Sequence, residues 1–103
     1  MSNILSTMAK YGIDKKPFDF LEELALRHRM LRKHAGYSQN ELALRSGVSL
    51  GSIKRFELTG QISLESLLKS VQVLNRLNDF DLILKPVQNI REIEKLFSDK
   101  TKE

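Results

Sequence analysis

Basic side chains crowd one stretch of this chain. Between Arg27 and Arg55 stand Arg27, Arg29, Arg32, Lys33, Arg45, Lys54 and Arg55, against the single acid Glu41. Cations held this close together suit a polyanion, because each neutralises a phosphate and releases its counterions. A solvated basic face would show the same excess, so charge alone leaves both readings open. Other chemistries lack their groups. There is no cysteine, which excludes disulfides and thiolate metal sites and fits a reducing cytoplasm. The two histidines, His28 and His34, are six residues apart and miss the i, i+4 spacing of a helical metal pair. No glycine-rich phosphate loop occurs, so neither an enzyme nor a cofactor is expected.

Charged groups act only where a scaffold holds them. At 103 residues a single domain with one core is expected. The 41% hydrophobic and 29% charged fractions belong to an ordinary globular protein rather than a disordered one. No run of about 18 apolar residues is present. The first residues, Met1 to Met8, lack the basic start and long apolar stretch of a secretory signal. A cytoplasmic protein is expected. The formal net charge is +4, and from Asp79 onward six acids face five bases. The positive field therefore belongs to the middle third.

The apolar spacing is helical throughout, with no sustained alternation of the strand kind. Residues 1–17 read as a leader, punctuated by Gly12, Asp14 and Pro17. A first helix is expected from Asp19, which stands with Glu22 at the spacing of a capping box. Leu21, Leu24, His28, Leu31 and Ala35 would form its inner stripe, with Gly36 as the stop. His28 on that stripe reads as a half-buried, hydrogen-bonded core histidine. Ser38 and Glu41 make a second capping box for a helix to about Ser46, and Gly47 supplies a tight turn. Ser49 caps a third helix ending near Leu58, with Gly60 beyond it. Ser63 caps a fourth with the stripe Leu64, Leu67, Leu68, Val71 and Leu74. Asn78 would cap a fifth, carrying Phe80, Leu82, Ile83 and Leu84 up to Pro86. A small tail helix could follow, with Asn89 and Glu92 as its cap and Ile90, Ile93 and Phe97 on one face. The architecture is all-α: a five-helix domain over residues 18–85, a leader at 1–17 and a tail at 86–103.

Helices two and three can form a rigid L only if they pack closely at their corner. Ala43 is small enough to allow that, while Leu42, Val48 and Ile53 fill the interior. The outer face of the third helix, with Leu50, Gly51, Lys54 and Arg55, is then free of core duty. A helix presented in this way fits the major groove. The run S-Q-N-E-L-A-L-R-S-G-V-S-L-G-S-I-K-R-F-E, from Ser38 to Glu57, resembles the Xre family, the phage lambda-type repressor helix-turn-helix. The match lies at Ser38, Gln39, Glu41, Leu42, Ala43, Gly47, Val48, Ser49, Ile53, Arg55 and Glu57. It implies a five-helix lambda-repressor-like domain that binds double-stranded DNA.

The resemblance implies roles for particular residues. Gln39 would bond a backbone phosphate and buttress the third helix, at a helix start whose N–H groups favour the same anion. Ser49, Leu50, Gly51 and Arg55 would face bases or nearby phosphates. Arg55 can bond guanine O6 and N7 together, or hold phosphate only. Leu50 and Gly51 depart from the family's polar residues, so specificity would rest on Arg55, Lys54 and DNA shape. Lys54 reads as a phosphate contact. Ser52, Thr59, Gln61 and Ser63 stand where the family adds backbone contacts, although Ser63 needs no role beyond capping. Arg32 and Glu57 would pair and fix geometry more than add stability.

A module of this size makes few base contacts, so a homodimer on a palindromic operator is expected. Its surface would be the fifth helix with Phe80, Leu82 and Leu84, the leader, or the tail with Ile93 and Phe97; the same apolar residues could instead complete the core. The stretch from Gly47 to Leu68, with Leu74 and Asn78 to Asp81, is similar to HipB-type antitoxins. That implies a repressor of its own operon that also binds a HipA-like kinase toxin. The alternative is a stand-alone or phage-type Xre regulator. A purely protein-binding helical module is the competing class.

Overall fold

The computed structural model describes residues 14–86, 91 and 94–97. Within them run α1 (Pro17–His34), α2 (Gln39–Ser46), α3 (Leu50–Thr59), α4 (Leu64–Val73) and a 3-10 helix, Leu77–Leu82. Arg91 and residues 94–97 are helical as well, and no strand occurs among the described residues. The fold is all-α.

Each helix starts where the local chemistry supplies a partner for its first N–H groups. Ser38, Ser49 and Ser63 accept from the N–H of Glu41, Ser52 and Ser66 at 3.0, 3.1 and 3.1 Å. The Glu41 carboxylate closes the box by accepting from Ser38 N–H at 3.3 Å. The start of α1 differs from the expectation. Pro17 opens the helix, since its fixed φ suits the first turn and its missing N–H leaves nothing unpaired there. Asp19 therefore sits inside the first turn, where its carboxylate accepts from Lys16 N–H at 2.8 Å. At the other end Gly36 takes φ +82° and turns the chain away.

The core lies in two adjoining clusters. Leu42, Ala43, Val48, Ile53 and Leu74 form one, with Leu31, Tyr37, Leu50 and Val73 packed against it. Ala25, Phe56, Leu67 and Val71 form the other, with Leu24, Ile62 and Phe80 around them. The corner of α2 and α3 is thus built by Leu42, Ala43, Val48 and Ile53, all buried. Phe56, one turn after Ile53, carries α3 across to the second cluster and is fully buried. Of the stripe expected on α1, His28 is buried and Leu24 and Leu31 pack against the core. Ala25, His28 and Arg32 are the helix's buried residues, while Leu21 and Ala35 are exposed. Leu64 is exposed as well, because the face of α4 turned inward is Leu67, Ser70 and Val71.

The fifth helix is 3-10 rather than α, and Asn78 lies inside it instead of capping it. Asn75 and Leu84, both at φ +60°, bracket this segment. Of its expected apolar face only Phe80 is half-buried. Asn89, Ile90, Glu92 and Ile93 of the expected tail helix, and leader residues 1–13, lie outside the described residues. Phe97 is helical and exposed.

Candidate nucleic-acid interface

The L of α2 and α3 is fixed at its outer end by one carboxylate. Arg32 on α1 donates from Nε to Glu57 Oε2 at 2.7 Å and from one terminal nitrogen to Oε1 at 2.9 Å. The other terminal nitrogen donates to the Tyr37 carbonyl at 2.8 Å. Gln39, the first residue of α2, donates from Nε2 to Glu57 Oε1 at 3.2 Å. Arg29 stands 3.8 Å from the same oxygen. Burial is the largest influence on Glu57 and opposes its ionisation. The hydrogen bonds and charge of Arg32, with the bond from Gln39, outweigh it and hold the carboxyl below 4.5. An ionised Glu57 therefore ties α1, the turn after it and the start of α2 to the last turn of α3.

Gln39 is oriented by that bond, and its amide lies at a helix start where the first N–H groups have no intrahelical partner. Anions suit such a place. The Arg45 guanidinium lies 4.7 Å over the Tyr37 ring, a cation–π contact that orients it.

Along α3 the residues singled out from the sequence separate by surroundings. Ser49 Oγ accepts the Ser52 N–H and donates to Ser52 Oγ at 2.8 Å. The Ser52 hydroxyl thereby keeps its own proton for an outside acceptor. Leu50 is half-buried against the first core cluster, so part of it is scaffold. Gly51 is exposed, and a Cβ built on it meets nothing within 4 Å. Lys54 and Arg55 are exposed, and Arg55 donates to Gln61 Oε1 at 2.7 Å. Thr59 is committed locally. Its hydroxyl donates to the Arg55 carbonyl at 2.7 Å and accepts Gln61 N–H at 3.1 Å, so its single proton is not free for a phosphate.

Two features escaped sequence reasoning. Phe56 stands i+3 from Ile53 and was findable as a core position from that spacing alone. The place of Arg29 beside Glu57 has no local signal, since the two are far apart in sequence. Among the described residues no group of three or more His, Cys, Asp and Glu could hold a metal ion, and no helix is long and apolar enough to cross a membrane.

Residues 29–77 match a family model described as helix-turn-helix. No curated protein and no solved structure matches the chain. The matched segment runs from the last turns of α1 to the start of the 3-10 helix and contains the α2–α3 unit. It supports a DNA-binding transcriptional regulator with an Xre-like helix-turn-helix.

Proposed function

We propose that this chain is a sequence-specific repressor that binds a palindromic DNA operator as a homodimer. One observation carries the reading. The α2–α3 corner is fixed from inside by Leu42, Ala43, Val48 and Ile53, while Gly51, Lys54 and Arg55 stand exposed on the far side of α3. In this reading α3 enters the major groove. Arg55 reads guanine, Leu50 meets a thymine methyl and Gly51 lets the backbone approach. Gln39, Ser49, Ser52 and Lys54 contact phosphates, and Thr59 shapes the loop beside them. Arg32 and Glu57 set the angle of the recognition helix.

A dimer would place two recognition helices about 34 Å apart in successive major grooves. Support for a C-terminal dimer surface comes from Leu82, Ile83 and Leu84, which are 75%, 55% and 97% exposed. Apolar residues this bare are commonly covered by a partner. The work is placed in the cytoplasm, where DNA and a cysteine-free chain are both at home. The boundaries proposed are a leader up to the start of α1, the DNA-binding domain to residue 85, and a tail from 86.

Selection from a randomised duplex pool, followed by titration of the recovered site at several salt concentrations, tests the reading. Affinity should fall about 10³-fold or more between about 50 and 200 mM salt if six or more phosphates are contacted. Binding that is weak, flat in salt or absent would favour a protein-binding helical module. The finer role we propose is that of a HipB-like antitoxin, supported by the resemblance of Gly47 to Leu68 and Asn78 to Asp81 to that group. Co-purification with a kinase-like product of the adjacent gene tests it. With no such gene, a stand-alone Xre regulator is the reading that remains.

A further inference from the structure

We propose that Gln61 is a positioning residue for Arg55, holding its guanidinium in the orientation that discriminates guanine. The inference rests on the DNA-binding reading above and adds a residue from outside the recognition helix. A lone exposed arginine samples many rotamers, and fixing one of them for a two-point bond has an entropic cost. Here one N–H of Arg55 is held by Gln61 Oε1 at 2.7 Å. That carboxamide oxygen can only accept. It occupies one of five guanidinium donors and leaves the rest of the fork for O6 and N7 of a base. The Gln61 amide keeps its own donors for a neighbouring phosphate.

The loop that delivers Gln61 has little slack. Thr59 Oγ1 donates to the Arg55 carbonyl at 2.7 Å and accepts the Gln61 N–H at 3.1 Å, which ties the two residues through the backbone as well. Gly60 between them takes φ +80°, and a Cβ there would stand 2.9 Å from the Leu21 backbone, so the loop lies directly on α1. Ile62 then packs into the second core cluster, and Ser63 caps α4. Gln61 is thereby anchored on both sides, with its side chain over the C-terminal half of α3. An incidental surface hydrogen bond would need none of this.

The test uses the full chain and the duplex that it selects from a randomised pool. Each guanine is replaced in turn by 7-deazaguanine, which removes N7 and keeps base pairing. The wild-type chain should lose about tenfold in affinity or more at one guanine. Gln61→Ala should lose less than about threefold at that guanine, with an unchanged urea midpoint. Gln61→Glu keeps the acceptor and should restore the sensitivity, although its charge lowers affinity for every duplex. Full 7-deazaguanine sensitivity in Gln61→Ala would overturn the proposal, as would failure of Gln61→Glu to restore it. A wild-type chain that binds its site but is indifferent at every guanine also overturns it, while leaving DNA binding intact. A wild-type chain that selects no duplex defeats the DNA-binding reading itself.

Discussion

Arg32 and Arg55 carry the same guanidinium in opposite surroundings. Arg32 is buried and makes a fork-to-fork pair with Glu57, with its remaining nitrogen on a backbone carbonyl. Its attraction to Glu57 is largely offset by the desolvation of both groups, so the pair fixes geometry more than it adds stability. Removing one partner is different, because it strands the other. Glu57→Gln should therefore cost on the order of 3 kcal/mol in urea unfolding; a loss under about 1 kcal/mol would place the pair among ordinary surface bridges. Arg55 is exposed, and its side chain donates to Gln61. Arg55→Ala should leave the urea midpoint unchanged and remove about 1–3 kcal/mol of affinity for the selected operator. Unchanged affinity and sequence preference would remove Arg55 from the interface. Neither role was written in residue spacing alone. A separation of 25 between Arg32 and Glu57 gives no periodic signal, and only the likeness to a family pointed to the pair.

At the scale of the element, helix starts were legible because they depend on neighbours in sequence. Serines 38, 49 and 63 each sit three residues before the N–H they accept. What depended on tertiary packing was harder to read. On α1, Arg32 joins the inner face because it finds Glu57 on α3, and no apolar periodicity marks an arginine for that place. The 3-10 segment is flanked by left-handed Asn75 and Leu84, and no hydrophobic pattern encodes either feature. The glycines allow a sharper test, because the same substitution should act in two directions. Gly51 is helical and meets nothing that a Cβ would disturb. Gly51→Ala should raise stability by roughly 0.5–1 kcal/mol, and in the proposed interface it should weaken operator binding. Gly60 combines φ +80° with the 2.9 Å approach to Leu21. Gly60→Ala should lower stability by about 1–3 kcal/mol through strain and a shifted α1. Thermal midpoints of the two variants that move in the same direction would contradict this assignment.

Taken as a whole, the molecule has its two core clusters joined at Phe56, and the joint contains a titratable group. His28 is buried with its ring edge-on to Phe56, centroids 5.0 Å apart. Ser70 Oγ donates to the Leu67 carbonyl at 2.8 Å, so its contact with His28 Nε2 at 2.9 Å must be one in which the imidazole donates. In the neutral ring Nδ1 is then a buried acceptor that has no partner. Burial, the strongest influence, keeps the histidine from charging and lowers its pKa from 6.5. Glu57 pulls the other way, and Arg32 adds to the lowering. The unfolded chain therefore takes up this proton at higher pH than the folded one. Stability should be complete above 6.5 and fall as pH drops from there toward the depressed value, with a slope of up to about 1.4 kcal/mol per pH unit for one proton. Glu57, itself held below 4.5, would begin to add its own loss only at lower pH than the onset of the His28 loss. Urea midpoints of the wild type and of His28→Gln, measured from about pH 7 to pH 5, distinguish the cause. The variant should start less stable but run flat where the wild type declines. Parallel curves would mean that His28 charges as easily in the folded protein as in the unfolded chain, and that acid reaches the joint beneath the recognition helix by another group.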